Sequence, residues 1–216
     1  MTVKAVIFDF GGVFTISPVV RFSEYERENG LPEKFIGKVI KARMEDGAFA
    51  RYERGEIALD TFDVDFAAET RAAGHEVPGR VIMSLLQMEI RPEMVEAYQK
   101  LVDAGVRTGC ITNNMPDSGA SDWVRGEETG PVIAQIFGQF EQVLESAQVG
   151  VRKPEPEIYQ MMCDAMGLAP EECAFIDDLG VNLKSARAMG MKTVKAPLGD
   201  LQPAIDELSA LTGVPL

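Results

Sequence analysis

The stretch VKAVIFDFGGV at residues 3–13 decides the fold of this chain. An almost unbroken apolar run ends in a carboxylate, Asp9, and two glycines, Gly11 and Gly12, follow at once. Such a run is typical of a fully buried strand in a parallel sheet. Asp9 would then lie at the carboxyl end of the strand, where open α/β sheets bind their ligands. On this stretch alone, Asp9 is explained equally well as a turn cap and as a site residue. The rest of the chain is needed to distinguish the two explanations.

Strand and helix patterns alternate along the chain beyond residue 91. Strands are predicted at 106–112, 142–144, 172–176 and 192–194. Helices are predicted at 92–104, 131–137, 156–166, 182–189 and 201–211, several of them marked by a proline at the start or a glycine at the end. Repeated strand–helix–strand units with short connections predict an α/β fold built on a doubly wound parallel sheet. The polar, glycine-rich stretch at 115–130, which holds Trp123, is expected to be a long excursion near a strand end.

Residues 17–89 have a helical pattern and no convincing strand. Helices are predicted at 18–29, 32–44, 59–73 and 78–88, and a turn-rich passage at 47–56. We therefore expect a core formed by residues 1–16 and 90–216, with an all-helical cap at 17–89 inserted after the first strand. Because this insertion leaves the sheet just after Asp9, it is expected to emerge over the site end of the sheet as a lid.

The composition is that of an ordinary globular protein, with 216 residues, 46% of them hydrophobic and 25% charged. A formal net charge of −13 would repel polyanions, so we expect no nucleic acid and no membrane among the partners. A small phosphorylated substrate is still compatible, because local charge in a pocket can oppose the global sign. Monomer and homodimer are both open.

The expected compartment follows from the cysteines and from the absence of apolar segments. Cys110, Cys163 and Cys173 have no pair spacing, which suits a reducing cytosol and gives no sign of structural zinc. No stretch approaches the length of a membrane span, and the chain starts directly with a strand pattern, without the features of a signal peptide. A soluble cytoplasmic protein is therefore expected.

Polar side chains stand at four comparable places in this pattern. They are Asp9 after the first strand, Thr112-Asn113 after the second, Lys153 before a helix and Asp177-Asp178 after the fourth strand. Each has an ordinary structural explanation by itself, as a turn, a surface lysine or a helix cap. In a doubly wound sheet, however, these positions converge on one crevice, and their joint occurrence favours a functional site.

The charges expected in that crevice favour a metal ion. Asp9, Asp177 and Asp178 would be three carboxylates close together, with Lys153 as the evident balancing side chain. Like charges in a partly dry pocket either raise their pKa values or recruit a cation. Oxygen-rich sites that are open to water and substrate suit Mg²⁺ best, so Mg²⁺ is the expected cofactor.

The same crevice offers what a phosphoryl group needs. Donors come from the Thr112 hydroxyl and the Asn113 amide, and a positive charge comes from Lys153. A carboxylate held in line with the phosphoryl group can attack phosphorus and form an aspartyl phosphate, which water then hydrolyses. Asp9 is the candidate for this nucleophile.

The order of these motifs is similar to that of the four signature motifs of the haloacid dehalogenase (HAD) superfamily. The motifs are Asp9-Phe10-Gly11-Gly12-Val13, Thr112-Asn113, Lys153-Pro154 and Asp177-Asp178-x-x-x-Asn182. The tracts RKPEPEIY at 152–159 and FIDDLGVNLK at 175–184 most resemble the phosphatase domain at the N-terminus of soluble epoxide hydrolases and its bacterial relatives. The resemblance spans the whole chain and implies a Rossmann-like core with a helical cap.

The resemblance also implies a role for each matching residue of the metal site. Asp9 would be the nucleophile and a Mg²⁺ ligand, and Gly11 would offer its backbone carbonyl to the metal. Asp178 would be the second carboxylate ligand, supported by Asp177 and Asn182. On the substrate side, the family implies that Thr112 and Asn113 hold the phosphate, while Lys153 orients Asp9 and neutralises charge.

One position departs from the family pattern. The family's phosphatases usually have an aspartate two residues after the nucleophile, as the general acid for the leaving group, and this chain has Gly11 there. General acid–base catalysis typically contributes about 10²–10⁴-fold, so the change matters for activity. Another donor could come from the cap, where Tyr52, Glu53, Glu56 and His75 are available, and Arg51 or Arg54 could bind an anionic substrate. For each of these side chains an ordinary surface role is expected over a role in the site.

Three functional hypotheses follow. The leading one is a Mg²⁺-dependent phosphatase of a small phosphorylated metabolite, which acts through an aspartyl phosphate on Asp9. The second is a hydrolase of the 2-haloacid dehalogenase type, because the superfamily's dehalogenases also lack the acid at the position of Gly11; the pair Asp177-Asp178 argues against it. The third is a non-catalytic member that binds a phosphorylated ligand or a protein.

Overall fold

One five-stranded sheet of parallel strands forms the centre of the described chain. The structure is a computed structural model that describes residues 2–86, 89–114 and 129–216. The strands are β1 (Ala5–Phe8), β2 (Arg107–Thr112), β3 (Gln142–Glu145), β4 (Cys173–Asp177) and β5 (Lys192–Lys195). They lie in the order β3-β2-β1-β4-β5. The predicted doubly wound parallel sheet is confirmed.

Helices connect the strands and cover the sheet. Between β1 and β2 they are α1 (Pro18–Glu28), α2 (Phe35–Ala42), α3 (Ala48–Glu53), α4 (Leu59–Ala72), α5 (Gly79–Leu85) and α6 (Pro92–Asp103). After β2 they are α7 (Gly130–Gln139), α8 (Ser146–Val149), α9 (Pro156–Met166), α10 (Gly180–Ala188) and α11 (Gln202–Thr212), with a 3₁₀ turn at Pro170–Glu172. Prolines occupy the first turn of α1, α6, α7, α9 and α11, where the missing N–H group interrupts no helical hydrogen bond.

Successive residues of β1 point to opposite faces of the sheet, and each face has its own apolar core. Val6 and Phe8 belong to a core that contains residues of α6, α7 and α11. Ala5 and Ile7 belong to a core that contains residues of α9 and α10. Burial on both faces explains why this strand is an unbroken apolar run.

The central position of β1 brings the polar strand ends together. β1 pairs with β2 on one side and with β4 on the other, and Phe8 is aligned with both Cys110 and Ile176. The strand order changes direction here, because β2 and β3 lie on one side of β1 and β4 and β5 on the other. Ligands of α/β sheets bind in the crevice outside the carboxyl ends of the strands at such a point.

Helices α1–α5, called the helical region below, pack around a separate apolar core. Its buried members are Phe22, Phe35, Ile36, Val39, Ala48, Tyr52, Phe62, Phe66, Val77 and Ile82. The two connections to the sheet run side by side: Thr15 and Ile90 form an antiparallel bridge, and the Arg91 N–H donates to the Phe14 carbonyl at 2.8 Å. As predicted, described residues 17–86 contain helices and no strand.

The local prediction is wrong at 47–56, where a passage predicted as turns contains α3. After β3, where no element was predicted, the chain forms the short helix α8. Helices this short are unstable by themselves, so their stability comes from tertiary packing that the local sequence does not display. In α3, the ring of Tyr52 stacks on Phe62 with centroids 4.6 Å apart. Residues 115–128 of the predicted excursion, including Trp123, lie outside the described residues.

The three cysteines serve as small apolar side chains. All are buried and free; Cys110 lies in the core of one sheet face, and Cys163 and Cys173 lie in the core of the other. As for membranes, every helix in the described ranges is too short or too polar to span one.

Candidate active site

The ends of β1, β2 and β4 bring the predicted site residues to one place. Asp9 follows β1, Thr112 ends β2, and Asp177 ends β4, with Asp178 next to it. Lys153 reaches the same place from the loop between α8 and α9. All five side chains are buried. The convergence expected from the sheet topology is therefore present in the structure.

Lys153 is the cation in contact with these carboxylates, and it is 1% exposed. Its Nζ lies 2.6 Å from Oδ1 of Asp9 and 3.1 Å from Oδ2 of Asp177, and it donates to the Ile111 carbonyl at 2.8 Å. Burial lowers the pKa of Lys153, but the Asp177 and Asp9 carboxylates outweigh burial and raise the pKa above its ordinary value. Lys153 therefore stays charged.

The Asp9 carboxylate is held through one of its oxygens. In the described chain, its hydrogen bonds and ion pairs all involve Oδ1, which also accepts from the Phe10 N–H at 2.6 Å. Lys153 and the Phe10 backbone together fix the orientation of the carboxylate. Oδ2 is left for a further partner.

The site concentrates negative charge. The carboxylate oxygens of Asp9, Asp177 and Asp178 lie within 4.8 Å of one another. Burial raises the pKa of Asp9 well above its usual range; Lys153 opposes this effect, and the two neighbouring carboxylates add to it. Burial and Asp177 raise the pKa of Asp178 to about 6, against a hydrogen bond from Ser17. A bound cation would relieve this repulsion.

The donor atoms at this place fit Mg²⁺. Asp9 and Asp178 provide the carboxylate oxygens that this ion prefers. The backbone passes Asp178 very closely at Gly12, which has a φ of 78° and where a Cβ would lie 2.4 Å from Cγ of Asp178. Only glycine tolerates this approach. The loop after Asp9 therefore runs directly against the Asp178 carboxylate.

The two neighbouring aspartates have different surroundings. Asp177 accepts from the Leu179 N–H at 2.6 Å and from Nδ2 of Asn182 at 2.9 Å, in addition to its contact with Lys153. Asp178 accepts from the hydroxyl of Ser17. Asp177 is thus engaged mainly by its own loop and by Lys153, whereas Asp178 has fewer protein partners.

Ser17 is a site contact that sequence reasoning missed. Its Oγ also accepts from the Val19 N–H at 3.3 Å, as the N-cap of α1. A serine before a proline at a helix start predicts a cap, and this ordinary role gives no sign of Asp178, which is 161 residues away in sequence. Only the tertiary structure shows the second contact.

Thr112 and Asn113, predicted to hold phosphate, have different surroundings. Thr112 is buried at the end of β2. The side chain of Asn113 is bound to the Lys153 backbone: its Oδ1 accepts from the Lys153 N–H at 2.9 Å, and its Nδ2 donates to the Lys153 carbonyl at 3.0 Å. The same Nδ2 lies 3.4 Å from Oε2 of Glu53. The Asn113 amide is therefore engaged by the Lys153 peptide.

Position 11 has room for a side chain. A Cβ built on Gly11 meets no atom within 4 Å, and Gly11 is absent from the glycines with positive φ. Neither crowding nor backbone conformation therefore requires glycine here, in contrast to Gly12. A larger residue at position 11 would therefore meet no steric obstacle at its Cβ.

The side chains of the helical region considered as donors or anion binders have partners of their own. Tyr52 is buried against Phe62, and His75 is exposed beside the Phe35 ring. The ion pairs are Glu53 with Arg152 at 2.6 Å, Glu56 with Arg54 at 2.5 Å and Arg51 with Asp65 at 2.7 Å. Among the described contacts, none of these side chains touches Asp9.

The sequence of the chain is similar to those of several curated proteins. The chain is 34% identical over 99% of its length to acyl-CoA dehydrogenase family member 10 of Mus musculus, of which it covers 19%. It is 30% identical over its full length to bifunctional epoxide hydrolase 2 of Sus scrofa, of which it covers 40%. The chain thus spans less than half the length of these two relatives. A phosphatase of Mycobacterium tuberculosis is 27% identical over 89% of this chain and 86% of its own.

Solved structures and a family model agree on the fold family. A HAD-like family hydrolase from Porphyromonas gingivalis superposes with a TM-score of 0.66 at 25% identity, covering 96% of this chain and 98% of its own. A HAD family enzyme from Bacteroides thetaiotaomicron, solved with magnesium and inorganic phosphate, shares the fold with a TM-score of 0.60 at 22% identity, covering 92% and 96%. The family model described as haloacid dehalogenase-like hydrolase matches residues 3–190. With this match over most of its length, the chain belongs to the haloacid dehalogenase-like hydrolases.

Proposed function

We propose that the protein is a Mg²⁺-dependent phosphatase that acts on a small phosphorylated metabolite through an aspartyl phosphate on Asp9. The observation that carries the proposal is the way Asp9 is held, with Oδ1 2.6 Å from Nζ of Lys153 in a buried cluster of three carboxylates. A carboxylate fixed through one oxygen presents the other as a nucleophile. Relatives named as phosphatases support the same chemistry.

Asp9, Asp178 and the Gly11 carbonyl are the groups that would hold Mg²⁺. The ion, when bound, supplies positive charge that neutralises phosphate oxygens. Ser17 would orient Asp178 through its hydroxyl. Asp177 would support the loop, because it binds the backbone next to Asp178 and is itself bound by Asn182.

The chain's own residues would carry the reaction in two steps. In the first, Oδ2 of Asp9 attacks phosphorus, and the bond from phosphorus to the leaving oxygen breaks, with the electron pair going to that oxygen. In the second, water attacks phosphorus, the bond from phosphorus to Oδ2 breaks with its electron pair returning to the Asp9 carboxylate, and the phosphate departs with both protons of the water. Lys153 opposes the effect of burial on Asp9 and so favours its ionised form. We assign the phosphate oxygens to the Thr112 hydroxyl and the Asn113 backbone, because the Asn113 side chain is engaged by Lys153.

Gly11 limits the leaving groups that this mechanism serves. Without a carboxyl group at position 11, the departing oxygen receives no proton from the residue that supplies it in the family's phosphatases. Loss of a general acid typically lowers rates by about 10²–10⁴-fold, and it does so most for alcohols that leave poorly. We therefore propose a substrate whose leaving group departs as a stable anion.

We further propose that residues 17–89 act as a cap on a core of residues 1–16 and 90–216. Two observations support this division. The helical region has an apolar core of its own, and the chain joins it to the sheet through two adjacent connections at Thr15 and Ile90. A region built in this way covers a site without taking part in the sheet.

Hydrolysis of a carbon–halogen bond is the second candidate. Gly11 favours it, because a halide leaves without a proton, and an (S)-2-haloacid dehalogenase of Pseudomonas is 22% identical over 200 residues. The acidic cluster weighs against it. Without a cation, Asp177 and Asp178 raise the pKa of Asp9 and so remove charge from the nucleophile.

One assay separates these candidates. We expect the protein to hydrolyse p-nitrophenyl phosphate with Mg²⁺, to lose this activity in EDTA, and to lose it in Asp9→Asn. Wild-type rates in Asp9→Asn would refute the role of Asp9. Chloride release from 2-chloropropionate in EDTA would favour the dehalogenase. Phosphate binding without turnover of any ester in a broad panel would favour a non-catalytic member.

A further inference from the structure

The structure points to Glu53 of α3 as a positioning residue for Lys153. This inference rests on the proposed function, because it assigns Glu53 a part in the same active site. Glu53 belongs to the helical region, whereas Lys153 lies in the loop between α8 and α9. We propose that Glu53 acts through Arg152, the residue before Lys153, and through Asn113, whose side chain binds the Lys153 backbone.

The link between Glu53 and Arg152 is a buried ion pair. Oε2 of Glu53 accepts from Nε of Arg152 at 2.6 Å and lies 2.5 Å from a terminal guanidinium nitrogen, and each side chain is 8% exposed. The other terminal nitrogen donates to the Met44 carbonyl at 3.1 Å. Every guanidinium nitrogen of Arg152 is thus held by the segment around α3. Loss of one partner would leave an unpaired buried charge next to Lys153.

The Lys153 peptide is fixed from both sides by side chains. The Arg152 N–H donates to Oε2 of Glu155 at 3.2 Å, and the Lys153 N–H donates to Oδ1 of Asn113 at 2.9 Å. Nδ2 of Asn113 lies 3.4 Å from the same Glu53 oxygen that binds Arg152. One carboxylate oxygen of the helical region therefore contacts the side chain of Arg152, the residue before Lys153, and the side chain of Asn113, which binds the Lys153 backbone.

The end of α3 is in direct contact with the segments that follow β2 and β3. The Ser146 hydroxyl donates to the Glu53 carbonyl at 2.6 Å and accepts from the Asn114 N–H at 3.0 Å. At Gly55, a Cβ would lie 2.8 Å from the carbonyl of Ala147. A misplacement of about 1 Å in a catalytic group can reduce rates about 10²-fold. A shift of α3 that moved the Lys153 backbone by this amount would therefore change the distance between Nζ of Lys153 and Asp9 enough to affect the rate.

Glu53 acts in this proposal by position and not as a proton donor. Burial raises the pKa of Glu53, but Arg152 opposes that effect through its charge and its hydrogen bonds. The carboxylate oxygen that binds Arg152 is an acceptor of two guanidinium N–H groups. Glu53 is therefore not a replacement for the acid missing at Gly11.

The test compares Glu53→Gln with Asp65→Asn. Glu53→Gln keeps the shape of the side chain and removes the charge that holds Arg152. Asp65→Asn is the matched control, because it breaks the ion pair of Arg51, which lies on the same helix. Two quantities are measured: hydrogen exchange of the Arg152 and Lys153 amides, and the kinetics of p-nitrophenyl phosphate hydrolysis with Mg²⁺.

We expect the two variants to differ in both readouts. In Glu53→Gln the two amides should exchange at least several-fold faster, and kcat should fall about 10- to 100-fold with KM changed less than about 2-fold. Asp65→Asn should match the wild type. If Glu53→Gln does not fold, Arg152→Lys, which keeps the charge but offers a single nitrogen to Glu53, should show the same split between kcat and KM.

The outcomes separate this inference from the proposed function. An active wild type with unchanged amide exchange and kcat in Glu53→Gln would overturn the positioning role. Equal losses in Glu53→Gln and Asp65→Asn would overturn it as well, because they would indicate general loosening of the helical region. An inactive wild type would refute the phosphatase, while faster exchange confined to Glu53→Gln would still support the coupling to the Lys153 peptide.

Discussion

Arg91 donates from its buried guanidinium to the carbonyl oxygen of Gly12 at 3.2 Å, in the loop that directly follows Asp9. The same guanidinium donates to the carbonyls of Pro197, at 2.9 Å, and Gly199. Arg91 also lies at the junction with the helical region, since its N–H is bonded to Phe14. One side chain thus connects the junction to the backbone proposed to hold Mg²⁺.

Replacement of Arg91 by Met is expected to weaken Mg²⁺ binding. The Gly11–Gly12 backbone would lose the group that binds the Gly12 carbonyl, and loss of such outer contacts typically costs about 10- to 100-fold in metal affinity. Thermal unfolding at increasing MgCl₂ measures this as a higher midpoint concentration. The control is Arg21→Met, which removes a partly exposed ion pair with Glu89 near the same junction. An unchanged Mg²⁺ midpoint in Arg91→Met would contradict the assignment.

Asp178→Asn is expected to stabilise the metal-free protein. Its folded pKa of about 6 lies above the ordinary 3.8, so the protonated carboxyl contributes stability at low pH that is lost as the pH rises through 6. At pH 8 the ionised group therefore costs about 3 kcal/mol. In EDTA the variant should be more stable than wild type by about 2–3 kcal/mol at pH 8 and about equal at pH 4.

Urea unfolding at both pH values measures this difference, and Asp177→Asn is the comparison. Asp177 accepts from Leu179, Asn182 and Lys153, so its replacement should destabilise the protein at pH 8. A destabilising effect of Asp178→Asn of the same size would show that both aspartates are structural. In that case Asp178 is not the strained carboxylate of the site.

Gly11→Asp is expected to extend the activity to poor leaving groups. Because a Cβ at position 11 meets no atom within 4 Å, the new carboxyl group should be accommodated and supply the missing proton. The ratio of kcat/KM for an alkyl phosphate to that for p-nitrophenyl phosphate should rise about 10²-fold or more.

Gly12→Ala tests whether this gain is specific to position 11. Its Cβ would lie 2.4 Å from Cγ of Asp178, at a backbone with φ of 78°, so this variant should lose activity on both substrates. If Gly11→Asp folds and leaves the ratio unchanged, the leaving group is protonated by some other group.

Lys153→Met is expected to reduce both activity and stability. It leaves Asp9 and Asp177 buried without the cation that both contact. Breaking a buried pair in this way costs about 3–5 kcal/mol, which urea unfolding at pH 7.5 in EDTA measures. Lys153→Arg keeps the charge and should lose less stability. Wild-type stability in Lys153→Met would mean that the two carboxylates share a proton in the folded state.

The sheet and the strand-end residues were predictable for physical reasons. Strands that are buried on both faces are apolar throughout. A proline in the first turn and a glycine after the last turn mark where a helix begins and ends. The helix at 156–166 was predicted with the limits that the structure has. The family signature then pointed to Asp9, Lys153 and Asp178, which the structure brings together.

The contacts missed from the sequence depend on tertiary structure. Ser17 looks like a helix cap and also binds Asp178. Glu53 lies in a passage that resembles turns, because α3 is too short to show helical periodicity, and its partner Arg152 is 99 residues away. The side chain of Asn113 was expected to face a phosphate, and its actual direction depends on the Lys153 loop. Local patterns contain no information on such pairings.

The bridge between Thr15 and Ile90 brings the two ends of the helical region together. The two connecting segments form an antiparallel bridge at this point and lie about 5 Å apart, as neighbouring strands of a sheet do, so a tight turn could join them as well as a set of helices does. A chain shortened in this way would keep every strand pairing and lose Glu53 together with Ser17. With the helical region as the proposed cap, this architecture would allow its helices to be exchanged during evolution without change to the sheet, and substrate choice could diverge while Asp9 and Lys153 stay in place.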